Sequence, residues 1–316
     1  MTGPADRLSV EAVMECSKME KTLGVVPITM LVTAALIYGL VFPFNALATA
    51  AGATYFGHAF WQTFLGGSAL YLVALLRGER VSFRWIYLRA YVVVGAFGFG
   101  LPMALLTFVG PNLPQGIVPL VLALSPTFTY LVSILFRLDH MSAFGLAGIA
   151  LGFAGVAVVL APDSAMPGED AVSWFMLALI TPVLLAVANV AAATLRPPET
   201  SSTVMGSGFL LGAALSLLPL MLIFSQTYVP LATDLIIPTA GSAAVNAVFI
   251  IMFAEIVRRF GPTFFAQFNY LAVVAAIGWA FVFFAEIPSV YAIAALVLMA
   301  AGVLISELRH RVANPH

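Results

Sequence analysis

The sequence predicts an all-α integral membrane protein with ten transmembrane helices, arranged as two inverted repeats of five helices each. Three observations predict this fold: an apolar composition, ten apolar stretches of similar length, and cations confined to alternate gaps. Hydrophobic residues make up 62% of the 316 residues and charged residues 9%, and the mean hydropathy is +1.06. Water could not solvate the surface of such a chain folded as a soluble globule, so that class is excluded.

Ten apolar stretches of about 20 residues follow one another along the chain, each long enough to cross roughly 30 Å of hydrocarbon as a helix. Their approximate bounds are 25–48, 56–76, 86–109, 113–136, 142–161, 172–195, 203–224, 236–257, 263–285 and 288–306. The short breaks leave no room for a soluble domain. We therefore expect an N-terminal tail (1–22), a first five-helix unit (23–161), a linker (162–171), a second five-helix unit (172–306) and a C-terminal tail (307–316).

The 13 Lys and Arg residues lie in or beside alternate gaps, and the intervening gaps carry none. Cations are retained on the cytoplasmic side during insertion, so both termini are expected in the cytoplasm, in the inner (plasma) membrane. Lys18 and Lys21 precede the first span, whose apolar run exceeds 20 residues, so we expect an uncleaved anchor rather than a signal peptide. The single cysteine, Cys16, permits no intrachain disulfide.

The two halves share features 147 residues apart. Asp139 corresponds to Glu286, and Gly155 corresponds to Gly302. Each half has an odd number of spans, so the halves must enter the membrane in opposite directions. Such inverted repeats predict inward-open and outward-open states with the substrate between the halves. A duplication retained only for packing is the alternative.

Span four and the span after it carry a recognisable pattern of small residues, a central proline, a terminal acidic residue and glycines. It comprises Leu113 to Gly116, Ala123 to Thr127, Leu135 to Asp139, Gly148 and Gly155. This pattern resembles the EamA-type repeat of the drug/metabolite transporter superfamily, and the resemblance extends over about residues 25–306. It implies a ten-helix transporter of small metabolites, often an exporter, working by alternating access.

Both halves of the chain depart from the family pattern, at two positions each. Val273 stands where a central proline is usual and Ala295 where a glycine is usual. Asp139 replaces the usual Glu, and span two offers Gln62 where an Arg is common nearby. These departures leave the predicted fold intact and say little about the substrate.

Polar side chains inside the spans indicate a cavity, because placing a polar group in hydrocarbon costs free energy unless the group is paired or hydrated. The resemblance implies that spans one, three, four, six, eight and nine face this cavity. The substrate-binding candidates on these spans are Tyr38, Thr127, Tyr130, Asn189, Asn246, Gln267, Asn269 and Tyr270. For each Asn the alternative is an interhelical hydrogen bond, and for each Tyr it is packing with a satisfied hydroxyl.

Asn246 is the strongest single candidate, because its mid-span carboxamide has only apolar sequence neighbours and can both donate and accept. Pro126 is expected to bend span four beside Thr127 and Tyr130. Asp139 and Glu286 are predicted to act at the membrane boundary, as helix caps or gate partners. Glu255 is expected to pair with Arg258 or Arg259 one turn later on the same helix.

No enzyme signature is present: the sequence contains no HExxH, Gly-x-Ser-x-Gly or phosphate-binding glycine loop, so we predict no catalytic residue, cofactor or metal site. None of the four histidines lies at metal-ligand spacing from another, and His58 is expected near the outer surface. Nucleic acid is not an expected partner. The partners are a small-molecule substrate and the lipid bilayer; the coupling ion and the choice between monomer and homodimer stay open.

The predicted function is secondary transport, with export of small polar metabolites such as amino acids. An anionic substrate would favour a cation at mid-depth, and the sequence predicts none. An uptake carrier or uniporter of the same fold is the nearest alternative. A passive channel, or a membrane protein that binds lipid or a partner without transporting, is the alternative from another class.

Overall fold

A computed structural model gives the architecture, and it describes residues 26–79, 81–138, 140–160, 169–195, 200–260 and 268–313. These ranges form ten helices and contain no strand. The helices are α1 (Val26–Ala50), α2 (Tyr55–Leu76), α3 (Trp85–Asn112), α4 (Val118–Leu135), α5 (Ala143–Val159), α6 (Glu169–Ala178 and Ile180–Thr194), α7 (Ser202–Ile223), α8 (Thr233–Phe260), α9 (Phe268–Phe284) and α10 (Val290–Ala313).

Seven of these helices are long and apolar enough to cross a bilayer: α1, α2, α3, α4, α6, α7 and α8. α5, α9 and the first part of α10 are shorter apolar helices. The predicted all-helical fold is confirmed, while the arrangement as ten membrane spans in two inverted repeats stays a prediction. The N-terminal tail and most of the predicted linker 162–171 lie outside the described residues, as do Asp139 and Gln267.

The two ends of the bundle are each held together by contacts between linkers. At one end, the Gly52 end, Thr54 Oγ1 donates to the carbonyl oxygen of Gln226 at 2.6 Å, and the Gly116 N–H donates to Glu286 Oε2 at 3.0 Å. At the other, the Arg137 end, Ser201 Oγ donates to Glu79 Oε2 at 2.6 Å. Chain connectivity places the linkers 77–84 and 136–142 at this second end.

α2 and α7 pack antiparallel through small residues. A Cβ on Gly67 would lie 2.9 Å from the Leu211 nitrogen, and Ser207 Oγ donates to the Gly67 carbonyl at 3.1 Å. α7 also meets α3, where a Cβ on Gly95 would meet Ala213 N at 2.6 Å. Glycine lets helix backbones approach this closely, which is how apolar helices gain packing energy in lipid.

The C-terminal ends of α2 and α7 carry the same cap, 147 residues apart and at opposite ends of the bundle. Gly78 and Ser225 both have a positive φ, of 72° and 53°. The next N–H donates back to the helix in each case, from Glu79 to the Ala74 carbonyl at 2.9 Å and from Gln226 to the Met221 carbonyl at 2.8 Å. All three positions of this Schellman-type cap are related by the 147-residue offset.

α5 and α10 also meet reciprocally at this offset. A Cβ on Gly155 would lie 3.0 Å from the Ala295 carbonyl oxygen, and a Cβ on Gly302 would lie 2.6 Å from the Gly148 carbonyl oxygen. Gly155 and Gly302 are 147 residues apart, and so are Gly148 and Ala295. The two helices therefore run antiparallel and use equivalent positions at their contact.

Two helices of the bundle interior depart from regular α geometry. α3 contains a π-helical segment, Ala96–Gly100, and α4 begins as a 3₁₀ helix, Val118–Leu124, before continuing as an α-helix from Ser125. Pro126 lies directly after this change, in the first turn of the α-helical part, where its missing N–H leaves no bond unmade. The change of helix type lies at the position where the sequence predicts a bend.

Candidate functional site

A chain of fully or nearly fully buried polar side chains connects α1, α2 and α8. Asn246 Nδ2 of α8 donates to Gln62 Oε1 of α2 at 2.9 Å. Asn45 Oδ1 of α1 accepts from His58 Nε2 at 3.0 Å and makes longer contacts with Gln62 Nε2 and Ser242 Oγ, both at 3.5 Å. These five side chains, Asn45, His58, Gln62, Ser242 and Asn246, are called the amide network below.

The network continues to the Gly52 end through the linker between α7 and α8. The Tyr228 hydroxyl lies 3.3 Å from His58 Nδ1 and 3.2 Å from Thr239 Oγ1. Burial raises the pKa of the Tyr228 phenol, and its hydrogen bond with Thr239 acts in the opposite direction. His58 lies in the first turn of α2, near the Gly52 end, and its side chain is 0% exposed. The linker covers it.

This linker is attached to the first turns of α2 by several hydrogen bonds. Gln226 Oε1 accepts from the Phe56 N–H at 3.1 Å, which satisfies one of the free donors at the start of the helix. Trp61 Nε1 donates to the Tyr228 carbonyl at 2.6 Å. Gly57 permits the contact, because a Cβ there would lie 2.6 Å from the Gln226 carbonyl oxygen and 2.7 Å from the Tyr228 ring.

Asn246 has one unsatisfied atom at the inner end of the amide network. Its side chain is 0% exposed, and its Oδ1 has no hydrogen-bond partner among the described residues. A buried acceptor without a donor costs about 1–3 kcal/mol. An unpaired oxygen of this kind is a natural place for a ligand donor or an ordered water.

A narrow cleft reaches the network from the Gly52 end. It encloses about 250 Å³ with its mouth included, and it is lined by α1, α3 and the segment entering α4. Its polar lining consists of Asn45, Thr49, Thr107 and Gln115, none of which carries a charge. The enclosed part has room for about one water molecule, so this conformation is nearly closed.

Tyr38 lies in an aromatic cluster beside the network on α1 and α8. Its ring centroid is 4.4 Å from that of Phe249 and 5.6 Å from that of Phe268. Phe249 lies one turn after Asn246 on α8, so the cluster and the amide network share the α1–α8 contact. Of the predicted substrate-binding residues, the structure therefore brings Tyr38 and Asn246 into one region.

Three other predicted residues make contacts between helices or linkers. Thr127 and Tyr130 both face α5, where they pack on Gly152 and Gly145. The Tyr130 hydroxyl donates to the His140 carbonyl at 3.0 Å and accepts from the Ser142 N–H at 3.1 Å, which fixes the linker before α5. Asn189 Nδ2 donates to Thr129 Oγ1 at 3.1 Å between α6 and α4.

The predictions for α9 and the boundary residues have mixed outcomes. Asn269 and Tyr270 are half-buried in the first turn of α9. Glu286 of the α9–α10 linker accepts a hydrogen bond from the Gly116 N–H just before α4, and its role at the membrane boundary stays a prediction. The predicted ion pair within α8 is confirmed, between Glu255 and Arg259.

The sequence interpretation missed Asn45, His58, Thr239 and Ser242 as members of the site and treated Gln62 only as a departure from a family pattern. A helical spacing was present: His58 and Gln62 are four residues apart, and Ser242 and Asn246 are four residues apart. Within the described residues, no three His, Cys, Asp or Glu side chains come together as a metal site would require.

Comparisons with known proteins agree with the helical architecture. Residues 26–161 match the model of the EamA-like transporter family. One crystal structure, of a protein 19% identical in sequence, superposes with a TM-score of 0.58 over 87% of this chain and 98% of its own. That likeness concerns the fold. No curated protein gives a significant sequence match.

Proposed function

We propose, from the match of residues 26–161 to the model of the EamA-like transporter family, that the protein is a secondary transporter that exports small polar metabolites, such as amino acids, by alternating access. The family and the apolar helices make it a multi-pass membrane protein. The observation that carries the proposal is the amide network, which meets the cleft at Asn45. Buried neutral donors and acceptors, one of them unpaired, are what a polar solute needs in order to leave water.

Alternating access is supported by the local correspondences between the two halves. The α2 and α7 caps and the α5–α10 contact repeat at one offset, and in both cases the paired helices run antiparallel. Two halves with equivalent contacts can exchange shapes at little cost, which is the physical basis of alternating access in inverted repeats. The nearly closed cleft would then belong to one state of the cycle.

The substrate class follows from the chemistry of the cleft and the network. Amide and hydroxyl groups can bind an uncharged or zwitterionic solute, but they do not balance a net charge. The carboxylates whose side chains the structure describes are at helix ends or in linkers: Glu79, Asp170, Asp234, Glu255 and Glu286. We therefore favour neutral polar solutes over sugar phosphates or organic cations.

The distribution of cations supports the proposed orientation in an inner or plasma membrane. Chain connectivity places four cations at the Arg137 end: Arg77, Arg84, Arg137 and Arg259. The linkers of the Gly52 end contain no Lys or Arg. By the positive-inside rule the Arg137 end faces the cytoplasm. The nearly closed cleft then lies on the outer side of the membrane, where an exporter would release its solute.

The test compares metabolites in the medium of cells that express wild type, Asn246→Ala or Thr63→Val at equal membrane abundance. Thr63 of α2 is a matched control, because it is as fully buried as Asn246 of α8 but its hydroxyl bonds only the carbonyls of its own helix. We expect a neutral polar compound to accumulate outside with wild type and Thr63→Val, and much less with Asn246→Ala. Counterflow of that compound in proteoliposomes then separates a carrier from a channel.

The outcomes divide the alternatives. Equal accumulation with all three variants would retain export and remove Asn246 from the site. No difference from cells without the protein, together with faster disappearance of a compound from the medium, would replace export by uptake. No difference in either direction and no counterflow would contradict transport and favour a membrane protein that binds a lipid or a partner.

A further inference from the structure

We propose that His58 is a proton-binding site that couples proton movement to opening of the cleft, so that transport exchanges protons for the solute. This inference rests on the proposed transport function. Ionisable side chains buried inside a membrane bundle are rare and commonly lie on proton or ion pathways. His58 is a fully buried histidine on α2 with hydrogen-bonding contacts at both ring nitrogens.

The contacts of the ring define which nitrogen carries the hydrogen when the imidazole is neutral. Asn45 Oδ1 can only accept, so His58 Nε2 carries the hydrogen at their 3.0 Å contact. Nδ1 of the neutral ring then accepts a hydrogen from the Tyr228 hydroxyl, 3.3 Å away, with Thr239 Oγ1 at 3.5 Å as a second neighbour. Full burial without a carboxylate among these described neighbours favours the neutral imidazole, with the Nδ1 lone pair directed toward the Gly52 end.

The groups that face His58 are uncharged. α1 contributes Asn45, α8 contributes Thr239, and the α7–α8 linker contributes Tyr228, which is the titratable neighbour among the described residues. A carboxylate is not among these described neighbours. A second proton on the ring would therefore place an unbalanced positive charge in the interior of the bundle, which is stable only when water solvates it.

Binding a proton thus requires the site to open. A proton from water adds to the Nδ1 lone pair, the ring becomes imidazolium, and the new Nδ1–H can donate to the Tyr228 oxygen. Tyr228 is half-buried at the Gly52 end, so it lies between the ring and water. The His58 ring is connected to the cleft through Asn45, which accepts its Nε2–H and also lines the cleft. Packing these side chains together without water is unfavourable when the ring is charged, and packing them around the neutral ring gives the closed arrangement described here. Proton occupancy and cleft closure are therefore linked, as coupled exchange requires.

Because the substrate is unidentified, the test uses a thiol reporter and needs no ligand. In a full-length Cys16→Ser background, Thr107→Cys places a reporter in the cleft, and Thr227→Cys places one in the exposed linker as the control for the thiol's own pH dependence. The rate of labelling by a membrane-impermeant maleimide is measured in proteoliposomes from pH 5 to 8, where histidine ordinarily titrates. The cleft rate is divided by the linker rate.

We expect this ratio to rise several-fold as the pH falls, and the rise to be lost with His58→Gln, which retains a donor for Asn45 and does not titrate. His140→Gln, in the α4–α5 linker, serves as the matched control and should retain the rise. A rise that persists unchanged in His58→Gln would overturn the proposal, and so would a flat profile in the wild-type background.

Two further measurements keep the result decisive. If His58→Gln does not fold, NMR of the wild type with nitrogen-labelled histidine replaces it, and His58 ring nitrogens that do not titrate between pH 5 and 8 would overturn the proposal. Counterflow of labelled neutral amino acids is measured on the same proteoliposomes. A pH-dependent cleft without counterflow would contradict transport but not proton binding, and counterflow with a flat pH profile would contradict proton binding alone.

Discussion

Asn246 Nδ2 donates to Gln62 Oε1 at 2.9 Å, and both side chains are 0% exposed, so two amides join α8 to α2 away from water. The two partners are not equivalent. Gln62 has a donor and an acceptor contact in the amide network, whereas Asn246 has a partner only at its nitrogen. Removing one or the other should therefore have different consequences.

Gln62→Ala should destabilise the protein more than Asn246→Ala does. The first leaves both the nitrogen and the oxygen of the buried Asn246 carboxamide without a partner. The second removes the donor of Gln62 Oε1 but also removes an oxygen that is already unsatisfied. We expect a loss of about 1–3 kcal/mol for Gln62→Ala and a value near the lower limit for Asn246→Ala. The double variant should lose less than the sum, because the two side chains share one bond. Thermal unfolding in detergent measures all three, and strictly additive losses would contradict the contact.

The α5–α10 contact predicts graded losses of stability for Gly302→Ala and Gly155→Ala, with Gly278→Ala in α9 as the control. In Gly302→Ala the new Cβ would lie 2.6 Å from a backbone oxygen of α5, so the helices must separate, at about 1–3 kcal/mol. Gly155→Ala should cost less, because its nearest atom is the flexible Met299 side chain at 2.7 Å. Gly278→Ala, with nothing within 4 Å, should be neutral or slightly stabilising through helix propensity. The thermal midpoint should therefore be lowest for Gly302→Ala, higher for Gly155→Ala and highest for Gly278→Ala. Equal midpoints for Gly302→Ala and Gly278→Ala would refute this order.

The helical architecture could be predicted because its causes are local. An apolar run of about 20 residues has one economical structure in lipid, so composition alone indicated the long helices. The cap after α2 was also legible in principle, since Gly78 favours the left-handed conformation that ends a helix. Its counterpart Ser225 carried no such signal, because the residue type does not favour that conformation.

The candidate site was only partly predictable, because a polar residue within a span can face another helix or a cavity. Tyr130 and Asn246 both looked like cavity residues in the sequence. The structure directs Tyr130 to the linker before α5 and Asn246 to Gln62, a contact between residues 184 positions apart. Asn45 and His58 were passed over, since each has an apolar or surface-like local context and only the tertiary fold brings them together.

Glu286 should stabilise the Gly52 end mainly as a hydrogen-bond acceptor. Its Oε2 accepts from the Gly116 N–H at 3.0 Å, just before α4 begins. Glu286→Ala removes that acceptor and should weaken the local structure by about 1 kcal/mol, the modest value reflecting partial exposure. Glu286→Gln retains an oxygen there and should recover most of the loss. Hydrogen exchange at the amide of residue 116 reports the difference, and equal protection in all three proteins would show that the contact is not maintained.

Deprotonation of the Tyr228 phenol is expected to lower the stability of the folded protein at alkaline pH. Burial raises the pKa of its phenol above the ordinary value of 10.0, while the unfolded chain retains the ordinary value. The folded state thus holds this proton more tightly, and the resulting stability is complete below pH 10.0 and is lost as the pH rises toward the folded value. Wild type should lose stability more steeply than Tyr228→Phe above that pH, and chemical unfolding at pH 8 and above pH 10.0 measures the two slopes.

Tyr71→Phe, on a partly exposed tyrosine of α2, is the control and should follow wild type. Parallel curves for wild type and Tyr228→Phe would mean that the phenol is solvated in the folded protein.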